Sequence, residues 1–107
     1  MAVIVKELVT TTELTNVLVT YYTAANCRTL VDKCTIFNNN TFNVGIVLSL
    51  GGTIIKRTIA PKETYLCPEA VGHCIDNGDK LEASTDSGGE GGSGVFLRVS
   101  GREVTGI

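Results

Sequence analysis

The chain has 107 residues, 43% of them hydrophobic and 19% charged, and carries a net charge of −2 at pH 7. Mean hydropathy of +0.21 and an isoelectric point near 5.3 exclude a disordered chain and a non-specific nucleic-acid binder, which needs a basic surface to release counterions. The length fits one domain with one core, and no apolar block is long enough to cross a bilayer as a helix.

β-branched residues dominate, which favours strands over helices. Val3 to Val9 reads as a first extended segment, closed by the polar run Thr10-Thr11-Thr12. Lys6 and Glu7 interrupt its apolar run, so no signal peptide is expected and folding in the cytoplasm follows. Asn16 to Thr23 is a second strand and Arg28 to Phe37 a third, with Leu30, Cys34 and Ile36 on one face beside an odd Asp32. Asn38-Asn39-Asn40 suits a loop tip. Asn43 to Leu50 alternates most cleanly, with Val44, Ile46, Leu48 and Leu50 pointing one way. Gly51-Gly52 then fits a two-residue primed turn that returns Thr53 to Ile59 as a hairpin partner. Thr64 to Cys67, Lys80 to Thr85 and Val95 to Val99 complete the strands, and Asp76-Asn77-Gly78-Asp79 marks a turn. Ser87 to Gly94 (SGGEGGSG) is Gly-rich enough to predict a mobile loop. The pattern predicts an all-β fold: one antiparallel β-sandwich or jelly roll of about seven to eight short strands. Residues 1–14 form an N-terminal arm or edge strand, and residues 15–107 the sandwich domain.

The residues that could carry chemistry point elsewhere. Cys27 and Cys34 are separated by six residues, as are Cys67 and Cys74. Structural zinc pairs sit closer, within one tight knuckle. Free thiols suit a cytosolic protein, with one or two disulfides as the alternative. His73, the one histidine, adjoins Cys74 and could serve a Cys–His nucleophile only if Cys27 or Cys67 met it in a cleft. Asp76, Asp79, Glu82 and Asp86 do not follow the spacing of a calcium-binding EF-hand loop. SGGEGGSG lacks the Lys-Ser/Thr of a phosphate loop. The expectation is a protein without catalytic residues, cofactor or metal.

Binding to other subunits is what remains. Val3, Ile4, Val5, Leu8 and Val9 are the candidate protein-binding residues: a strand rich in these wants a partner sheet if it lies outside its own sandwich. Sandwich edges are readily covered by symmetric self-association, so a homo-oligomer, a trimer by preference, is expected, with neither nucleic acid nor membrane as partner.

Tyr22-Thr23-Ala24, Leu30-Val31-Asp32-Lys33, the run from Ala60 to Glu69 (APKETYLCPE), Asn77-Gly78-Asp79-Lys80-Leu81 and Val99-Ser100-Gly101-Arg102-Glu103-Val104 together resemble short structural proteins of tailed bacteriophages. The resemblance covers Tyr22 to Thr105, and its most specific piece is Glu63 to Glu69. It implies a virion part present in many copies, assembled in the host cytoplasm and bound to the major capsid protein or other virion subunits. A capsid decoration (cement) protein on the outer head lattice is the leading expectation. A neck, collar or tail-fibre component is the alternative. A glycan- or receptor-binding module is a third, disfavoured by the absence of Trp and by only three Tyr.

Overall fold

The computed structural model describes residues 2–86 and 94–105. It places nine strands among them: β1 (Ala2–Glu13), β2 (Val19–Thr23), β3 (Arg28–Asn38), β4 (Val44–Leu50), β5 (Thr53–Ile59), β6 (Thr64–Tyr65), β7 (Cys74–Ile75), β8 (Lys80–Asp86) and β9 (Val95–Thr105). The expected mobile segment Ser87–Gly94 falls, except for Gly94, outside the described residues.

Two antiparallel sheets form the sandwich. The first has the order β1-β9-β3-β6, with β7 pairing β3 further along; the second has the order β2-β8-β4-β5. Counted from opposite ends of the chain, strands lie beside their counterparts: β1 with β9, β2 with β8, β3 with β6 and β7, and β4 with β5. One long hairpin is thus wound into two layers, which is the jelly-roll arrangement. The winding is anchored at the β4–β5 hairpin. There Leu50 lies opposite Thr53, and Gly51 and Gly52 take the positive φ values, 58° and 93°, that a primed two-residue turn demands.

Alternation along each strand supplies the core. Val44, Ile46, Leu48 and Leu50 of β4 and Val95, Leu97 and Val99 of β9 are all buried, facing one another across the layers with Ile36 and Leu81. In β3 the buried set is Thr29, Val31, Cys34, Ile36 and Asn38. That differs from the expected face, because the register shifts between Val31 and Lys33. The bulge reverses the pleat, so Leu30 and Asp32 turn outward, and Asp32 accepts from Arg102 Nε at 3.1 Å.

Asn38 closes one end of the core. Its Nδ2 donates to the carbonyls of Phe42, Ile59 and Ala60 at 2.9, 3.1 and 3.2 Å, and its Oδ1 accepts from the Asn40 amide at 3.0 Å. A fully buried side-chain amide is tolerable only when satisfied in this way.

Two elements exceed the sequence reading. β1 continues through Thr10, Thr11 and Thr12 to Glu13, and β9 runs on past Val99 to Thr105. The extension of β9 passes through Gly101, where a Cβ would lie 2.2 Å from the Leu30 carbonyl oxygen and 2.9 Å from Leu8 Cδ1. No rotamer relieves a clash with backbone. Gly101→Ala is therefore expected to destabilise the fold by about 2–3 kcal/mol or more, as overpacking does. Gly78→Ala, which meets nothing within 4 Å, pays only for its positive φ and is expected to lose less. Chemical denaturation of the two variants compares them.

Candidate protein-binding edge

β1 is the outermost strand of the first sheet, and no strand pairs with its outer edge among the described residues. Its inner edge runs antiparallel to β9, from Ala2 opposite Thr105 to Glu13 opposite Phe96. From Ala2 to Glu7 the ladder is regular, each step pairing one residue with one. Beyond Glu7 the register shifts twice, between Glu7 and Val9 and between Val9 and Thr12. Bulges of this kind twist an edge and spoil it as a template for another strand. The regular, open stretch is thus confined to Ala2–Glu7.

The bulge also decides which apolar side chains are available. Cross-strand partners share a face, so Val3 and Val5 lie on the outer face with Val104 and Arg102, while Ile4 and Lys6 share the inner face with Glu103 and Gly101. On a flat strand Leu8 would point inward and Val9 outward. Because the register slips after Glu7, both turn into the core and are only 7% and 4% exposed. Val3, Ile4 and Val5 are 54%, 49% and 76% exposed. Of the five residues expected to bind protein, the structure leaves these three accessible and packs Leu8 and Val9 in their own sandwich. Burial of the last two is the correction that only the bulge explains.

A polar cluster fixes the inner side of this edge. The Tyr22 hydroxyl, arriving from β2 of the other sheet, donates to the Glu103 carboxylate and lies 2.7 Å from Thr29 Oγ1. Glu103 in turn pairs with Lys6 of β1 at 3.5 Å. Burial, then the hydrogen bond to Glu103, pushes the Tyr22 phenol well above its ordinary range. The cluster ends the apolar core and props the exposed start of β1 against the second sheet. Val17, Leu18 and Val19, at and just before β2, are also exposed.

The other candidate residues serve locally. Asp76 accepts from Arg28 Nε at 3.1 Å and from Cys74 Sγ at 3.7 Å; Glu82 accepts from Thr20 Oγ1 at 3.3 Å. The Asp79 N–H donates to the Asp76 carbonyl at 2.9 Å, closing the expected turn, and the Gly78 N–H ties it to the Ala24 carbonyl at 2.8 Å. Asn26, Cys27, Arg28, Asp76 and Asn77 line a cleft of about 630 Å³, whose rim the Arg28–Asp76 ion pair occupies. No group of three or more His, Cys, Asp or Glu side chains arranged to hold a metal occurs among the described residues. All four cysteines are free thiols, as expected. Cys27 lies beside Tyr22 and Thr29, Cys74 is exposed, and it is Cys34 and Cys67, from different halves of the symmetric pattern, that meet. Sequence spacing could not reveal this contact, because it is set by strand register.

Comparison with protein-family models, with curated proteins and with solved structures finds no match for this chain.

Tyr22 gives this region a measurable signature. Tyr22→Phe is expected to cost about 1 kcal/mol at neutral pH, as Glu103 and Thr29 each lose a partner. A phenol whose pKa is raised on folding contributes stability below its unfolded pKa that is lost as pH rises toward the folded value, since the unfolded state then binds fewer protons. The thermal midpoint of the wild-type chain should therefore fall above about pH 10, the range in which free tyrosine ionises, and fall less steeply in Tyr22→Phe.

Proposed function

We propose that this chain is a structural subunit that works by binding, not by catalysis, and that the open edge Ala2–Glu7 receives a β-strand of a neighbouring subunit. The observation that carries the reading is the combination of a regular ladder, a free backbone edge and three exposed apolar side chains, ended abruptly by two bulges. Strand addition draws its affinity from main-chain hydrogen bonds and its selectivity from alternate side chains. Val3 and Val5 would grip the partner on one face and Ile4 on the other. Polar or charged side chains directly opposite them would be excluded, so the fitting occupant is an extended, apolar, β-branched segment.

The resemblance of Tyr22 to Thr105 to short phage structural proteins suggests where such a partner is found. We read the chain as a capsid decoration protein whose partner strand belongs to the major capsid protein on the outer head lattice. The jelly-roll order is compatible with that role, an architecture common in capsid domains, although fold by itself does not assign function. Repetition around the lattice would raise the effective affinity of a short interface without adding contacts.

Mass spectrometry of purified particles of the phage encoding the chain, with this subunit counted against the major capsid protein, tests the reading. A ratio of one to one or one to a few is expected; about a dozen copies per particle would instead indicate a neck ring, and absence from particles would overturn the virion assignment. Val3→Lys combined with Val5→Lys then tests the edge. Both sites are exposed, so the thermal midpoint should hold within about 2 °C while particle occupancy falls about tenfold or more. Full occupancy by the double variant would overturn strand addition at this edge.

A further inference from the structure

Cys34 and Cys67 are brought together by pairing that their spacing conceals. Ile36 lies opposite Tyr65 and Phe37 opposite Thr64 in the β3–β6 ladder. Two steps back along β3 and two forward from β6 lead from the Ile36/Tyr65 pair to Cys34 and Cys67. The segment carrying Cys67 is held at both ends on β3. β6 pairs at Ile36 and Phe37, and beyond Cys67 the Gly72 N–H donates to the Val31 carbonyl at 2.7 Å while the His73 carbonyl accepts from the Val31 N–H at 3.0 Å. Between these anchors the chain turns tightly: Cys67 takes φ 43°, and its carbonyl accepts from the Ala70 N–H at 3.0 Å. Cys67 thereby folds in beside Cys34, and the two residues are 0% and 2% exposed. The two side chains lie close enough to perturb one another's ionisation.

We propose that Cys34 and Cys67 are a built site for an intramolecular disulfide, formed by exchange with a low-molecular-weight disulfide and locking the β6 segment onto β3. A disulfide needs Cα atoms about 4.4–6.8 Å apart, and backbone pairing to β3 on both sides of Cys67 holds its segment against the strand that carries Cys34. No other cysteine competes for either sulfur: Cys27 touches Tyr22 and Thr29, and Cys74 lies exposed beside Asp76.

The exchange balances in two steps. The Cys67 sulfur, as thiolate, attacks one sulfur of the small disulfide; an S–S bond forms, the old one breaks, and one small thiolate leaves and takes up a proton. The Cys34 sulfur, losing its proton, then attacks Cys67 Sγ of the mixed disulfide and expels the second small thiol. The protein loses two electrons and two protons, and the small disulfide gains them as two thiols. Cys67 is the attacking partner because the neighbouring Cys34 thiol holds its own thiol below the usual range, while the same contact and burial push that of Cys34 above it. Access comes through β6, an edge strand only two residues long, the kind of element that opens locally without global unfolding.

The site is independent of the docking edge on β1. Its test uses the full chain carrying Cys74→Ser, which removes the exposed thiol. After equilibration with oxidised glutathione, maleimide labelling under denaturing conditions should find one free thiol, Cys27, and a mass lower by two hydrogens. Tryptic digestion should link the peptide from Cys34 to Lys56 with that from Glu63 to Lys80. The thermal midpoint of the oxidised form should exceed that of the reduced form by more than about 5 °C, given the long loop closed. Adding Cys34→Ser should abolish both the link and the shift. Three free thiols under conditions that oxidise a small-molecule dithiol, a link through Cys27, or retained glutathione in place of the internal bond would each overturn the proposal.

Discussion

The structure depends on β9. It is an inner strand of its sheet, pairing with β1 on one side and β3 on the other along nearly its whole length. Its inward residues Val95, Leu97 and Val99 are buried against the opposite layer. Everything that distinguishes the molecule is arranged about that strand. The bulge after Glu7 lets Leu8 sit over Gly101, where β9 has no side chain to obstruct it. The bulge after Val31 reverses the face of β3 against the same stretch of β9. Glu103, near its end, gathers Lys6 and Tyr22. A close approach of backbones at one glycine thus sets the pleat of both neighbours.

The regular half of β1 and its bulged half have opposite consequences for association. Past Glu7 the chain turns its apolar residues inward and twists its edge, as edge strands commonly do to avoid unwanted pairing. Before Glu7 it does neither. At the far side of the sandwich the edge strand β5 exposes Lys56 and Arg57, so that edge is guarded by charge. Open and guarded edges therefore lie at opposite margins, and any strand added to Ala2–Glu7 would extend the first sheet in one direction only.

Much of the fold was legible because most strands keep the period-two pattern of a half-buried sheet. Val44 to Leu50, the Gly51-Gly52 turn and Val95 to Val99 needed nothing more. What escaped was whatever breaks the period. Alternation on either side of Asp32 reads as one face with a polar intruder, whereas a bulge makes it two faces joined. Consecutive Leu8 and Val9 cannot both be buried on a flat strand, so no pattern argument could assign them together. β7 has only two residues and carries too little pattern to detect. The contact between Cys34 and Cys67 follows from register, which composition and spacing do not encode. The candidate edge was half legible: its apolar character is plain in Val3, Ile4 and Val5, but its limit at Glu7 is a property of pairing.

The wound hairpin also orders events in time. β1 finds its only ladder partner among the described residues in β9, some ninety positions later in the chain. Until β9 has been synthesised, Val3, Ile4 and Val5 have no sheet to join, and Lys6 and Glu7 are the charges that stand between that apolar segment and its copies on other nascent chains. Pairing over such separations is slow to form. The segment proposed to receive a partner in the finished molecule is thus without a sheet during synthesis, and Lys6 and Glu7 at its end are the charges beside it in that interval.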